Sequence, residues 1–204
     1  MKRKLQRTVQ IGFLALFLFL FAAGRVQMWM GLLLLGILAS FLLGRVYCGW
    51  ICSINTVMLG VSRLKKKLHI KSLPVPSAFS KPWVRHLALG VFIGLFLFSM
   101  ATGRKVPVLP ALFALGAFAT FFFPEELWHQ HLCPYGTLML YPASKSPRGM
   151  AIDADLCNNC GACRRACPAL AVEKGGSHHF IHQRDCLVCM ECERSCRQDA
   201  IRYR

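Results

Sequence analysis

Eight of the eleven cysteines follow one spacing pattern, which occurs twice near the end of the chain. The pattern is C-x2-C-x2-C-x3-C, over residues 157–167 and again over 186–196. A spacing of three turns successive sulfurs inward in a tight loop, and in two-cluster ferredoxin chemistry the fourth cysteine of each run binds the other cluster. We therefore expect two [4Fe–4S] clusters. The expected ligands are Cys157, Cys160, Cys163 and Cys196 for one cluster, and Cys186, Cys189, Cys192 and Cys167 for the other.

Zinc and disulfides are the alternatives for these cysteines. Structural zinc takes two pairs of ligands, which leaves no use for the third cysteine of each triplet. Disulfides are disfavoured in the cytoplasm, where the charge distribution described below predicts this segment to lie. Residues 151–204 are also too few for a large hydrophobic core, so we expect metal to stabilise them. Both points favour clusters.

The other three cysteines lie with a histidine at the ends of apolar segments. Cys48 and Cys52 are four residues apart, as are His129 and Cys133, so on a helix each pair would share one face. Together these residues predict an additional iron or zinc site at the membrane edge. Two alternatives stay open: reactive thiols that exchange electrons or bind copper, and small side chains that only pack a helix end.

The membrane half of the chain looks duplicated. Residues 48–59 align with residues 129–140 at an offset of 81, with four identities in twelve positions. Each copy follows a pair of apolar segments, which is typical of a parallel internal repeat. The repeat predicts that both copies lie at the same membrane depth.

Four apolar stretches precede or separate these motifs, at residues 9–24, 28–44, 84–102 and 106–123. Their lengths suit a hydrocarbon core about 30 Å thick, and a chain of 204 residues is too small to bury four such helices in other protein. We expect four transmembrane helices. The first stretch also fits a cleaved signal peptide, but the repeat favours a retained span.

The net charge of +16 is unevenly distributed. The two short connections within the span pairs hold three of the 25 Lys and Arg residues. Excess positive charge marks cytoplasmic segments, so we expect an inner-membrane protein with cytoplasmic N and C termini and cytoplasmic clusters. The basic run at 63–71 predicts contact with anionic lipid head groups. No nucleic-acid recognition motif accompanies it, so nucleic acid is not expected as a partner.

The predicted fold class is therefore an all-α membrane part, with four helices in two span-pair repeats, joined to a small α+β ferredoxin-like domain. We expect the membrane part at residues 1–141 and a Pro- and Ser-containing linker at 142–150. The ferredoxin domain would follow at 151–204.

This combination of motifs resembles the NapH/NosR-type membrane iron–sulfur proteins, which include the quinol-dehydrogenase subunit of periplasmic nitrate reductase systems. The family motif is C-x3-C-P in both copies. Here Ser53 stands at the first proline and His129 at the first cysteine of the second motif, which favours a mixed Cys/His site or a partly degenerate one. The resemblance implies quinol oxidation.

Three functions follow as hypotheses, of which the third is a non-catalytic membrane anchor or redox sensor. The first is electron transfer between the quinone pool and a partner redox subunit, such as a cytochrome or a ferredoxin-type protein. The second is an accessory reductase that reduces a metal or a thiol while another redox enzyme matures. Stoichiometric copper or zinc at the membrane edge would favour the second.

Overall fold

Apolar helices dominate the first two thirds of the chain. The computed structural model describes residues 2–79, 81–103 and 107–204. The helices in this part are α1 (Lys2–Ala22), α2 (Trp29–Leu43), α3 (Ser53–Lys67), α4 (Pro82–Thr102) and α5 (Val108–Phe122). Three apolar segments within the described residues are long enough to cross a membrane: Arg3–Ala22, Val26–Leu43 and Pro82–Thr102. The protein is thus a multi-pass membrane protein with at least these candidate spans.

The fourth predicted span is only partly matched by the structure. Helix α5 has 15 residues, a rise of about 22 Å, which is shorter than the hydrocarbon core of about 30 Å. Proline stands at both ends, at Pro107 and Pro124. Residue 106, the first of that stretch, lies outside the described residues with Arg104 and Lys105 of the preceding connection. Four spans therefore remain a prediction.

The chain divides into two compact units. The first comprises Met1–Gly31 and Cys52–Leu138. Within it α3 packs closely on α5, because a Cβ atom at Gly116 would lie 2.7 Å from Cγ2 of Ile54. The Trp128 ring lies on the same side of Gly116, so a larger residue here would push both neighbours away.

Lysine 65 belongs to this packing and not to the lipid surface. Its side chain is buried, and Nζ donates hydrogen bonds to Oγ of Ser72 at 2.8 Å and to the Thr120 carbonyl at 3.0 Å. The predicted lipid contact of the basic run is thus wrong for this residue. Lys66 and Lys67 of the same run are exposed.

The second unit comprises Leu32–Ile51 and Met139–Arg204. It contains two antiparallel pairs of short strands, with Ile152 opposite Ile201 in one and Val172 opposite Ile181 in the other. The strands are β1 (Met150–Ile152), β2 (Val172–Lys174), β3 (His179–Ile181) and β4 (Ile201–Tyr203). Two five-residue helices follow β1 and β3, at Ala162–Ala166 (α8) and Glu191–Ser195 (α9). This is the small α+β part that the sequence predicts.

The connection to this α+β part is shorter than the predicted linker. A three-residue helix, α6 (Glu125–Leu127), and then α7 (Pro134–Ser144) precede it. Helix α7 continues past Pro142, and β1 begins at Met150. The irregular segment is therefore limited to residues 145–149.

Candidate metal centres

The first candidate centre is a cavity between the loop after β1, helix α8 and the end of α9. Its cysteines are Cys157, Cys160, Cys163 and Cys196. Asn159 and Gly161 have positive φ angles, which turn the loop tightly enough to direct several side chains to one side. The buried imidazole of His179 lines the same cavity. These are the four cysteines that the spacing assigns to one cluster.

The second candidate centre is built in the same way, but here the second cysteine run contributes three cysteines and the first run contributes the fourth. Its cysteines are Cys167, Cys186, Cys189 and Cys192. Val188 and Met190 take the positive φ angles that Asn159 and Gly161 have in the first loop. Positive φ is unusual for a β-branched residue such as Val188, so tertiary contacts must hold it there. The other lining residues of this cavity are apolar.

The thiols of the second cavity sit in a low-dielectric environment. Burial raises the pKa of Cys186 to about 11 and that of Cys192 to about 12. Backbone N–H groups also point at sulfur, from Val188 to Cys186 at 3.4 Å and from Ala171 to Cys167 at 3.3 Å. Thiolates in such surroundings require a cationic partner. Four soft sulfur ligands in an apolar cavity with N–H donors fit a [4Fe–4S] cluster.

Arg197 replaces the proline that follows the first cysteine run, yet the backbone is unchanged. Cys167, before Pro168, has φ −81° and ψ 113°, and Cys196, before Arg197, has φ −82° and ψ 114°. A following proline favours this extended conformation. Here the second loop adopts it without a following proline, so the arginine at this position does not disturb the ligand position.

A site for one metal ion needs its ligands closer together than a four-iron cluster does. Among the residues described, no three His, Cys, Asp or Glu side chains converge closely enough to share one metal ion. A cubane does not need such convergence, because each of its four irons takes a different cysteine.

The two membrane-edge motifs have the same unexpected backbone. The segments Tyr47–Ile51 and Trp128–Leu132 are both π-helices, at the offset of 81 found in the sequence. Each ends at a cysteine in extended conformation, Cys52 with ψ 114° and Cys133 with ψ 108°. The expectation that each pair shares one face of a regular helix is therefore wrong. The matching conformations support the internal repeat.

The surroundings of these residues are buried. Cys48, Cys52, His129 and Cys133 are each 5–7% exposed. Cys48 Sγ lies 3.7 Å from the thioether sulfur of Met139. Burial, reinforced by the nearby Cys52 and Cys133, raises the pKa of Tyr135. These residues are not among the groups of described side chains close enough to share one ion, so a metal site formed by Cys48, Cys52, His129 and Cys133 together stays a prediction.

The second cavity lies directly beside the first π-helix. A Cβ atom at Gly49 would overlap the carbonyl oxygens of Leu187 and Val188, so the two backbones are as close as glycine permits. The indole Nε1 of Trp50 donates a hydrogen bond to the Val188 carbonyl at 3.1 Å. Sequence reasoning missed this contact, because its partners are 138 residues apart and no local pattern indicates it.

Two protein families match this chain. Residues 26–71 and 106–148 match the family described as "4Fe-4S binding domain". Residues 149–198 match the "4Fe-4S dicluster domain". The first family thus covers both halves of the membrane repeat, and the second covers both cysteine runs up to residue 198. No solved structure matches the chain.

Several curated proteins are similar over most of the chain. Ferredoxin-type protein NapH of Haemophilus influenzae is 28% identical over 184 residues, which are 78% of this chain and 62% of NapH. YccM of Escherichia coli is 28% identical over 81% of this chain and 52% of its own length. Regulatory protein NosR of Pseudomonas aeruginosa is 26% identical over 76% of this chain and 24% of its own. The chain thus spans about half to two thirds of YccM and NapH, and about a quarter of NosR.

The two matches follow the order of features in the chain: one family matches both segments that contain the duplicated motif, and the other matches the two-loop cysteine domain. The resemblance found in the sequence is confirmed. The chain is a distant homologue of the NapH-, NosR- and YccM-type ferredoxin-type membrane proteins, with regions that match 4Fe–4S binding domains.

Proposed function

We propose that this protein passes electrons between the quinone pool and a partner redox protein through two [4Fe–4S] clusters. The observation that carries the proposal is the pair of cavities, each lined by four cysteines contributed by both loops. When bound, each cluster would supply reversible one-electron chemistry. The partner would be a cytochrome or a ferredoxin-type protein.

The ligand sets follow from the cavities. Residues Cys157, Cys160, Cys163 and Cys196 would hold one cluster, and Cys186, Cys189, Cys192 and Cys167 the other. The apolar lining would exclude water, and the N–H groups of Val188 and Ala171 would stabilise negative charge on sulfur. In this proposal residues 1–141 carry four spans, 142–150 connect them to the clusters, and 151–204 form the cluster domain.

The link to quinol rests on the resemblance to the quinol-dehydrogenase family. The second cavity supports it, because its loop contacts the π-helix at the end of α2 through Trp50 and Gly49. An electron that reaches this cluster is therefore close to the segment that leaves the membrane.

Iron and acid-labile sulfide in the purified protein test the cluster content. We expect about eight of each per chain, because two cubanes hold four of both. Cys160→Ser should lower the iron content to about half, since it removes a ligand of one cluster only. The matched control is Cys48→Ser, which leaves both predicted cluster sets complete. Full iron retention in Cys160→Ser would overturn the ligand assignment.

Reduction by a soluble quinol analogue tests whether the clusters exchange electrons with the quinone pool. Protein in detergent or in liposomes should bleach its cluster absorbance when the quinol analogue is added and recover it with the quinone. Clusters that dithionite reduces and the quinol analogue does not would remove the quinone pool from the function.

One contact favours the accessory-reductase function as a second candidate. The thiol of Cys48 and the thioether of Met139 are buried side by side at 3.7 Å, and soft sulfur ligands of this kind suit Cu(I). Copper that binds one-to-one to the intact protein and is lost in Met139→Leu would support that candidate. A protein that binds no copper would leave quinone-linked transfer as the function.

A further inference from the structure

Arginine 45 is a buried cation at the end of the second apolar helix. It follows α2 by two residues and is 1% exposed, although most arginines stay in water. Among the residues that the structure describes, it is the one arginine in the fully buried class. A guanidinium in such a position is strongly destabilising unless a negative charge or several hydrogen bonds compensate it.

The hydrogen bonds around Arg45 do not supply that compensation. One Nη atom donates to the backbone carbonyl of Asp185 at 3.4 Å, which is a long bond. The Nε atom has no hydrogen-bond partner within the described part of the chain. The guanidinium is therefore buried with part of its donor capacity unused.

Cys186 is the group that benefits from this charge. The Arg45 guanidinium donates a hydrogen bond to the carbonyl of Asp185, the residue directly before Cys186, which places its positive charge beside this ligand. Cys186 is itself buried and lines the second cavity. Sulfur in the thiolate form, as a cluster ligand, would provide the missing negative charge.

The backbone around Arg45 holds the guanidinium at this place. Trp50 is bonded to the Val188 carbonyl at 3.1 Å, and the Tyr203 hydroxyl donates to the Leu43 carbonyl at 3.0 Å. These two bonds bracket Arg45 in the chain, and both partners belong to the cluster domain. Because the backbone is fixed on both sides of Arg45 and the side chain is buried, the guanidinium has little freedom to move into solvent.

The first cavity has no equivalent buried cation among the described residues. The arginines of its helix, Arg164 and Arg165, are exposed, so water screens their charge. The two candidate clusters therefore differ in the charge that the protein places beside them.

We propose that Arg45 raises the reduction potential of the cluster at Cys167, Cys186, Cys189 and Cys192. The proposal rests on the function given above. Reduction adds one electron to this cluster and no bond breaks, so the reduced state carries one more negative charge. A fixed positive charge in a low-dielectric site stabilises that state more than the oxidised one. The loop that would hold this cluster is the one that contacts the membrane segment through Gly49 and Trp50.

The test is a redox titration of the full-length protein, with dithionite as reductant and electron paramagnetic resonance as readout. In Arg45→Gln, the reduction potential of one of the two clusters should fall. The equilibrium constant for its one-electron reduction should decrease at least about tenfold, which corresponds to about 59 mV. The potential of the other cluster should stay unchanged. Arg184→Gln is the matched control, because Arg184 is two residues from Cys186 but exposed.

A second variant separates charge from shape. Arg45→Lys keeps the charge, so its potentials should stay within about threefold of wild type in equilibrium constant, that is, about 28 mV for a one-electron couple. Loss of four iron atoms in Arg45→Gln would assign Arg45 to retention of the cluster instead of to its potential, and would overturn the proposal. Equal shifts in the Gln and Lys variants, equal shifts in Arg45→Gln and Arg184→Gln, or no shift in Arg45→Gln would overturn it.

The outcome for the proposed function is read separately. Wild-type protein without iron and sulfide would contradict the cluster function itself. Wild-type protein with both clusters, but with potentials that do not respond to Arg45, would contradict only the role of this arginine.

Discussion

At the scale of single residues, the close contact between the cluster domain and the membrane segment depends on a glycine, which has no side chain. Gly49 faces the carbonyl groups of Leu187 and Val188, and the latter oxygen would be 2.8 Å from an added Cβ. The partner is backbone and cannot rotate away as a side chain would. A methyl group here has to separate the two segments.

We therefore expect Gly49→Ala to destabilise the protein by about 1–3 kcal/mol, the usual effect of overpacking. Thermal unfolding in detergent, followed by cluster absorbance, measures this change. Gly60→Ala is the control, because Gly60 is an exposed position inside α3 where an added methyl group would have no neighbour within 4 Å. That control should be neutral or stabilising by about 0.5–1 kcal/mol. Equal melting curves for wild type and Gly49→Ala would refute the close contact.

A second residue-scale prediction concerns His129, which takes the position of Cys48 in the repeat. If it belongs to the electron path, His129→Ala should lower the rate of cluster reduction by a quinol analogue about 10- to 100-fold, as loss of a ligand or its support does. Both clusters should keep their spectra. His131→Ala, a change on the same π-helix, should leave the rate unchanged. Equal rates in wild type and His129→Ala, with no metal beyond the two cubanes, would show that His129 only packs against its neighbours and has no part in electron transfer.

The predictable part of the site consists of residues whose chemistry is encoded in local spacing. The two groups of four cysteines could be assigned because the loop geometry of a cubane repeats every three residues. Arg45 and Gly49 could not, because their function depends on a contact with a loop more than 130 residues away. An arginine at the end of an apolar helix normally marks the membrane boundary, so its type alone does not suggest burial beside sulfur.

At the scale of secondary-structure elements, the two π-helices are the part of the fold that sequence patterns do not indicate. The four-residue spacing of the Cys and His residues predicts regular helices here, whereas Tyr47–Ile51 and Trp128–Leu132 are π-helices. A π-helix has more residues per turn than an α-helix, so the chain leaves it in a different direction. Each π-helix is followed by an extended cysteine, Cys52 or Cys133, after which a new helix begins. Thr56 and Thr137 then donate equivalent hydrogen bonds to the Cys52 and Cys133 carbonyls, at 3.1 and 3.0 Å.

Element packing yields a third prediction, at Lys65 between α3 and α5. Lys65→Met removes hydrogen bonds to Ser72 and to the Thr120 carbonyl, so we expect a loss of about 1–3 kcal/mol near neutral pH. Burial lowers the pKa of Lys65 from 10.5. The unfolded chain therefore binds this proton more tightly, and the stability contributed by the neutral amine rises as pH increases toward 10.5.

Thermal unfolding between pH 7 and 10 checks both parts of that prediction. Wild type should gain stability relative to Lys65→Met over the upper part of this range. Lys66→Met is the control, because Lys66 is exposed and adjacent in sequence. If Lys66→Met and Lys65→Met behave alike, the buried amine has no structural function.

At the scale of the whole molecule, the orientation in the membrane decides which compartment holds the clusters. Charge asymmetry predicts cytoplasmic termini and a cytoplasmic central loop. Reporter fusions at residues 26, 75, 104 and 204 should therefore read periplasm, cytoplasm, periplasm and cytoplasm. The fusions at 104 and 204 lie on either side of the fourth predicted span, so opposite readings at these two positions test that span. A periplasmic reading at 204 would contradict the proposed electron path.

The bond between Trp50 and Val188 also has a consequence for how the protein is made. Its two partners are 138 residues apart, so at about 5–20 residues per second the ribosome completes the second roughly 7–28 seconds after the first. Helix α2 leaves the ribosome during that interval, with its docking face still without a partner. If the loops bind clusters as proposed, iron and sulfide would then be delivered to loops that are already tethered to the bilayer. We therefore expect cluster assembly to take place at the membrane surface and not on a free polypeptide.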